Sequence, residues 1–217
     1  MCQTAEQRDV QAIAIDFDGV LTDSQPLHLD AWRKVLKERS LNVEALKDRI
    51  LGASVEEFVH SLGLDPTIAN TLAIEKQETV LTLARQSPPP LYPNVRPTLH
   101  RLSQGFRLVL VTSAEPELVH IVLSHHRIDE CFADLVLEQD YSRPKPDPEP
   151  YQVAVERMGV LPNQVIAVED SPIGIQSARA AGLWTVAITN TAPLEQLNDA
   201  NLVINSFEEL LQLFPGG

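Results

Sequence analysis

Cysteine, basic residues and long apolar runs are all scarce in this sequence of 217 residues. The two cysteines, Cys2 and Cys131, do not have the spacing of metal ligands, so we expect neither a disulfide framework nor a thiolate metal site. Seventeen lysines and arginines stand against thirty acidic residues, which gives a net charge of −13 without any basic cluster. Nucleic acid is therefore an unfavourable partner.

No segment reaches the roughly 18 consecutive apolar residues that a membrane span needs, so we expect no membrane partner. The first residues lack a basic stretch followed by a long apolar region, so no secretory signal is predicted and a cytoplasmic location is expected. A chain of this length can bury one core together with a small accessory domain. We expect a monomer or a weak homodimer.

Short apolar segments of β-type composition alternate along the chain with helical patterns. This alternation predicts an α/β fold with a Rossmann-like, doubly wound parallel sheet. Turn and capping residues predict helices from Pro148 to Gly159 and from Pro172 to Gly182. The predicted strands are 12–15, 107–111, 135–137, 164–168, 185–188 and 202–204.

Between residues 26 and 91 the alternation stops, and only helical periodicity is present. The run Ser87-Pro88-Pro89-Pro90 at the far end of this segment is stiff and cannot continue a helix. The sequence therefore predicts a core domain of residues 1–24 and 92–217 with an inserted small all-helical cap domain of residues 25–91. The segments that join them are expected to act as hinges.

The strongest candidate for chemistry is the segment Asp16-Phe17-Asp18-Gly19, which directly follows the first predicted strand. Gly19 permits a bend of the backbone, so the carboxylates of Asp16 and Asp18 can both face one site. The carboxyl ends of strands are where open α/β sheets bind ligands. A simple acidic turn is the alternative interpretation, since Asp and Gly are common turn residues.

The predicted strand 107–111 ends in two hydroxyl side chains, those of Thr112 and Ser113. Together with the backbone N–H groups that open a helix near Glu115, they could hold phosphate oxygens. A helix N-cap without any catalytic role is the alternative interpretation.

Lys145 lies between two prolines in the loop before the helix that begins near Pro148. Prolines restrict the backbone and lower the entropy lost in placing one cation, which suits a lysine that meets a phosphate and a carboxylate. A solvated charge on a stiff linker is the alternative. Of the two cations in this loop, Arg143 and Lys145, we expect only one to point inward.

Glu169 and Asp170 follow the predicted strand 164–168 and stand just before the helix that begins at Pro172. Magnesium commonly takes one or two carboxylates together with water and substrate phosphate, so this pair is a candidate metal site. Acidic residues that cap the helix and interact with its dipole are the alternative.

In chain order, four loops at predicted strand ends present Asp-x-Asp, Thr, Lys and Glu-Asp. With this set the sequence resembles the haloacid dehalogenase superfamily of phosphotransferases over essentially the whole chain. The helical insert directly after the first motif is similar to the subgroup of phosphoglycolate phosphatases and β-phosphoglucomutases. The resemblance implies a phosphatase for a small phosphorylated metabolite, such as a sugar phosphate or phosphoglycolate. A phosphomutase of the β-phosphoglucomutase type is the alternative.

The resemblance also implies catalytic roles. Asp16 is the expected nucleophile, which forms an aspartyl-phosphate, and Asp18 is the expected general acid and base. Thr112, Ser113 and Lys145 are expected to bind the phosphate group.

By the same resemblance the cofactor is Mg²⁺, with Asp16, Asp18, Glu169 and Asp170 as its expected ligands, Asp18 through its backbone carbonyl. The metal and Lys145 would reverse the repulsion between an anionic substrate and a chain of net charge −13. Dehalogenases of the superfamily lack the second acid of the first motif and need no metal. Asp18 and Asp170 therefore speak against carbon–halogen chemistry.

In the helical insert the resemblance indicates His28 and Lys76 as substrate contacts, although both are also compatible with a solvated helix face. β-Phosphoglucomutases carry an arginine after a Gly-x-Ser turn, whereas residues 52–54 are followed here by Val55. This departure favours hydrolysis. Asn94 stands where a glycine usually follows the hinge proline, and asparagine tolerates the positive φ of such a turn.

Overall fold

The structure is a computed structural model that describes residues 9–37, 39, 46 and 55–214. The chain divides into two compact units, one of Met1–Asp23 with Pro90–Gly217 and the other of Ser24–Pro89. Within the described ranges no helix has both the length and the apolar character to cross a membrane. The predicted turn 52–54 lies outside the described residues.

The larger unit contains a six-stranded parallel sheet in the order β3-β2-β1-β4-β5-β6. The strands are β1 Ala12–Ile15, β2 Arg107–Val111, β3 Phe132–Val136, β4 Val165–Glu169, β5 Trp184–Ile188 and β6 Leu202–Ile204. The chain builds one half of the sheet outward from β1 and then returns to build the other half from β4, so a topological switch point lies between these neighbours. The predicted doubly wound parallel sheet is confirmed.

Helices account for most of the remaining regular structure. The smaller unit contains α1 Gln25–Lys37, α2 Val55–Ser61 and α3 Pro66–Gln86, and the larger unit contains α4 Val95–Leu102, α5 Pro116–His126, α6 Glu149–Met158, α7 Pro172–Ala180 and α8 Leu210–Leu213. The described part of the smaller unit has helices and turns but no strand.

The local end signals of the sequence fix several boundaries. Helix α6 ends at Gly159 with φ 64°, and Gly182 follows α7 with φ 86°, as their glycines predict. Near the end of the chain Glu209 Oε1 accepts the backbone N–H of Ser206 at 2.9 Å, which is the glutamate half of a capping box. Asn94 adopts φ 60° at the start of α4, which is the positive φ expected of this turn.

One strand differs clearly from its prediction. Strand β3 covers Phe132–Val136, whereas the apolar run predicted 135–137. Because β3 lies at the edge of the sheet, it includes the exposed Ala133 and the half-buried Asp134, which pairs with Arg157 at 3.6 Å, so an apolar run understates the length of such a strand. Strand β4 is displaced by one residue from the predicted 164–168, and β5 begins one residue before the predicted 185–188 and ends at the predicted residue.

The core of each unit explains why its elements hold their places. All four residues of β1 are buried, and the apolar side chains of the central strands pack against α6 through Ala154 and Met158. In the smaller unit, Trp32 and Phe58 stack edge to face with ring centroids 4.7 Å apart. In the larger unit, this packing holds the ends of the central strands in place, and with them the loops that follow their carboxyl ends.

Candidate active site

Asp16 is the first residue after β1, and a tight turn follows it. Its backbone N–H donates to the carbonyl of Val168 at 3.0 Å, which continues the pairing of β1 with β4 by one residue. The turn closes through a bond from Gly19 N–H to Thr22 O at 3.0 Å, with Gly19 at φ 78°. The glycine therefore supplies the bend that the sequence predicts.

Lys145 lies beside Asp16 and is buried, with its side chain 7% exposed. Its Nζ donates to Asp16 Oδ1 at 2.6 Å, to Glu169 Oε1 at 2.7 Å and to the backbone oxygen of Val111 at 3.0 Å. All three protons of the ammonium group thus have an acceptor. The interpretation of Lys145 as a solvated charge on a linker is wrong.

Arg143, the second cation of this loop, points outward with a side chain 65% exposed. It pairs with Asp147 at 3.3 Å and with Glu149 at 2.9 Å. The carboxylate of Glu149 also accepts the backbone N–H groups of Ser142 and Arg143, which fastens the loop to the start of α6. Only Lys145 points inward, so the expectation of a single inward cation is confirmed.

Glu169 and Asp170 stand at the end of β4, and neither of them caps α7. The N-cap is Ser171, whose Oγ accepts the N–H of Gly174 at 3.2 Å. Glu169 Oε1 instead accepts a hydrogen bond from the hydroxyl of Tyr151 at 2.6 Å. A Cβ at Gly174 would lie 2.0 Å from Glu169 Oε2. Any other residue at position 174 would therefore collide with the carboxylate.

Thr112 is buried at the end of β2, whereas Ser113 is exposed. The hydroxyl of Thr112 accepts the N–H of Ala114 at 2.9 Å, and the hydroxyl of Tyr141 lies 3.1 Å from Ser113 Oγ. The N-cap of α5 is Glu115 rather than either hydroxyl residue. The N-cap interpretation of Thr112 is therefore wrong, and its hydroxyl stands on the same sheet edge as Asp16.

The charges of the site do not balance within the protein. Asp16, Glu169 and Asp170 each offer a carboxylate oxygen, and these oxygens all lie within 4.8 Å of one another. Three carboxylates carry a formal charge of −3, and Lys145 contributes +1, which leaves −2. Three carboxylate oxygens with two uncompensated negative charges fit a hard divalent cation such as Mg²⁺.

The pKa values of the site reflect this crowding. Burial raises the pKa of Asp16, and the neighbouring carboxylates add to this effect against Lys145. Burial, followed by the charge of Glu169, raises the pKa of Asp170 to about 7. Burial alone would lower the pKa of Lys145, but the charges of Asp16 and Glu169 outweigh burial and raise that pKa. The ammonium group therefore keeps its charge.

Asp18 lies in the turn after Asp16 and is half-buried. It is not one of the three clustered carboxylates, although its charge raises the pKa of Asp170. Burial, followed by the charges of Asp23, Asp170 and Asp18, raises the pKa of Tyr92 to about 12. Tyr92 is a neighbour of the acidic site that no sequence motif indicated.

Two more residues missed in the sequence follow β5. Thr191 Oγ1 donates to Asp170 Oδ2, and Asn190 Nδ2 donates to the carbonyl of Gly19 at 2.8 Å. The available signal was position, because polar residues directly after a central parallel strand lie at the binding edge of the sheet. Tyr151 gave no such signal, since an aromatic residue within a helix usually indicates core.

His28 and Lys76 lie together in the smaller unit. Lys76 is buried, and its Nζ stands 3.0 Å from His28 Nδ1. Burial, followed by the charge of Lys76, lowers the pKa of His28 to about 3. Because an ammonium group can only donate, Nδ1 is the acceptor and His28 is neutral.

Comparison with known proteins identifies the class that the sheet and its acidic edge define. The family model of haloacid dehalogenase-like hydrolases matches residues 10–182. Fructose-1-phosphate phosphatase YqaB of Escherichia coli is 33% identical over 187 residues, which cover 81% of this chain and 95% of that protein. A phosphorylated carbohydrates phosphatase of Thermotoga maritima is 29% identical over 206 residues, which cover 91% of each chain.

Among solved structures, the β-phosphoglucomutase of Clostridium difficile has the same fold, with a TM-score of 0.74 at 24% identity over 93% of each chain. The chain belongs to the haloacid dehalogenase-like hydrolase family. Both the predicted family and the predicted enzyme class, a phosphoric monoester hydrolase, are confirmed.

Proposed function

We propose that this protein is a Mg²⁺-dependent phosphatase that hydrolyses a small sugar phosphate through a phosphorylated Asp16. The observation that carries the proposal is the contact of Asp16 Oδ1 with Lys145 Nζ at 2.6 Å, inside a cluster of three carboxylates. The ammonium group fixes one oxygen of Asp16 and offsets charge where an anionic phosphate enters.

In the first step an oxygen of the Asp16 carboxylate attacks phosphorus and the ester bond to the leaving oxygen breaks. The protonated carboxyl group of Asp18 gives its proton to that oxygen, so the product leaves as a neutral alcohol. In the second step the Asp18 carboxylate takes a proton from water. That water attacks phosphorus, inorganic phosphate departs, and Asp16 is regenerated.

The remaining side chains of the site bind and orient. Lys145 and the hydroxyls of Thr112 and Ser113 hold the oxygens of the transferred phosphoryl group. The tether of Lys145 to Glu169 at 2.7 Å supports this role, because it keeps the ammonium group in place when Asp16 reacts.

Mg²⁺ fits the oxygen donors and the two uncompensated negative charges of this site. Asp16, Asp170 and the backbone carbonyl of Asp18 would hold it, with Glu169 beside them. When bound, the ion neutralises charge on the phosphate oxygens. The sequence relatives that act on phosphorylated carbohydrates support the substrate class.

The helical unit is the proposed cap, with residues 1–24 and 92–217 as the catalytic domain and 25–91 as the cap. His28 and Lys76 are its proposed substrate contacts. Their pairing supports this assignment, because a neutral His28 leaves the positive charge on Lys76, where it can attract an anionic substrate. A cap of this kind excludes bulk water from the reacting phosphate.

A screen of phosphate release from small sugar phosphates and phosphoglycolate tests the proposal. We expect release with Mg²⁺, none after chelation with EDTA, and recovery when Mg²⁺ is added back. The Asp16→Asn protein is the matched control and should release no phosphate. Isomer interconversion that needs a bisphosphate activator, with little phosphate release, would instead identify a mutase.

A further inference from the structure

The loop after β5 contacts the acidic site at two points. Thr191 Oγ1 donates a hydrogen bond to Asp170 Oδ2 and lies 3.3 Å from the backbone oxygen of the same residue. Its neighbour Asn190 donates to the carbonyl of Gly19 at 2.8 Å. Adjacent side chains of one loop thus bond to the turn after β1 and to the acid after β4.

The bond from Thr191 makes the two oxygens of Asp170 different. Oδ2 is engaged by the hydroxyl, whereas no donor in the described part of the chain reaches Oδ1. Gly19 limits the space on another side, since a Cβ there would lie 1.9 Å from Asp170 Oδ2 and 2.7 Å from Thr191 Cγ2. The carboxylate is therefore held by a hydrogen bond and by close packing, and one oxygen remains to act as a ligand.

We propose that Thr191 is a positioning residue for the metal, whose hydroxyl orients Asp170 so that Oδ1 binds Mg²⁺. The inference rests on the proposed function, because it takes Asp170 to be a metal ligand. Loss of a side chain that hydrogen-bonds a ligating group typically lowers metal affinity about 10–100-fold. Thr191 acts through Asp170, so its removal should weaken Mg²⁺ binding itself, in the absence of any substrate.

The test is the Kd for Mg²⁺ of the metal-free, full-length protein, measured by isothermal titration calorimetry without substrate. Thr191→Val removes the hydroxyl and keeps the shape of the side chain. If the valine protein fails to fold, Thr191→Ser and Thr191→Ala replace it as the test. These two variants differ from each other only in the hydroxyl, and both side chains are smaller than threonine. Thr189→Val is the matched control, since the Thr189 hydroxyl bonds to Asn205 at 3.2 Å rather than to a carboxylate.

We expect the Kd to rise about 10–100-fold in Thr191→Val and Thr191→Ala, and to stay near the wild-type value in Thr191→Ser and Thr189→Val. A wild-type Kd in the valine and alanine proteins, or equal losses in serine and alanine, overturns the inference and leaves the proposed function in place. Failure of the wild-type protein to bind Mg²⁺ overturns both. An unchanged Kd in Asp170→Asn overturns the assignment of Asp170 as a ligand and the inference with it.

Discussion

Lys145 Nζ and Asp16 Oδ1 lie 2.6 Å apart, although 129 positions separate the two residues in the sequence. Both side chains are buried, and the same ammonium group also holds Glu169. A buried cation between two carboxylates keeps its charge, because each carboxylate stabilises the protonated form. The chain thus brings a fixed positive charge to the acid that is proposed to attack phosphorus.

Replacement of Lys145 should lower kcat strongly while the folded structure is kept. Lys145→Ala removes a fixed charge from the phosphate site, and we expect kcat to fall about 10²–10³-fold at saturating Mg²⁺. Phosphate release gives kcat, and circular dichroism checks the fold. Arg143→Gln is the matched control in the same loop, and its exposed ion pairs contribute little, so near wild-type kcat is expected. Comparable losses in both variants would contradict a specific role for Lys145.

Gly174 should be required for the position of Glu169. In Gly174→Ala the added Cβ would lie 2.0 Å from Glu169 Oε2, so the carboxylate must move and Lys145 loses a partner. Since small displacements of catalytic groups can lower rates about 10²-fold, we expect kcat to fall by that order.

Gly159→Ala is the control for this substitution. A Cβ at Gly159 meets nothing within 4 Å, but φ is 64°, so the change should lower stability by about 1 kcal/mol through backbone strain. Its kcat should equal that of the wild type. A Gly174→Ala enzyme with wild-type kcat and Kd for Mg²⁺ would show that Glu169 has no required position.

His28 should make the stability of the smaller unit depend on pH. Its pKa is about 3 in the folded protein and about 6.5 when unfolded, so between these values the unfolded chain binds a proton that the folded chain excludes. Stability should therefore rise with pH from about 3 to about 6.5, by up to about 1.4 kcal/mol per pH unit, and then level off.

Urea unfolding followed by tryptophan fluorescence measures this effect. Trp32 belongs to the core of the smaller unit, and the protein has one other tryptophan, Trp184, so a Trp184→Phe background isolates the signal. In this background His28→Asn should show a smaller dependence on pH over the same range. Equal pH profiles for the two proteins would mean that folding does not lower the pKa of His28.

Much of the site could be predicted from sequence because parallel strands end at one edge. Asp16, Thr112 and Glu169 each stand at the end of a predicted strand, so the fold brings them to that edge whatever their separation along the chain. The strand predictions for β1, β2 and β6 were correct to the residue. In β1, and in β2 after the exposed Arg107, every residue is buried, so the apolar run in the sequence and the strand coincide.

The supporting contacts could not be predicted in the same way. Thr191 follows a strand as Thr112 does, but a hydroxyl after a strand is common in ordinary turns, and its bond to Asp170 depends on the path of the loop. Tyr151 lies within α6, where an aromatic residue indicates core packing, and only the structure aims its hydroxyl at Glu169. Both contacts join elements that are close in the chain, 18 and 21 positions apart, but they depend on how those elements pack, which local sequence patterns do not specify.

The proposed chemistry depends most directly on a covalent bond between phosphorus and the Asp16 carboxylate. A single turnover with a cleavable sugar phosphate, quenched in acid and followed by peptide mapping in a mass spectrometer, detects that bond. We predict a phosphoryl group on Asp16 that forms before inorganic phosphate appears and is absent from the Asp16→Asn protein. Phosphate release at an undiminished rate by Asp16→Asn, or phosphorylation of a different residue, would contradict the account.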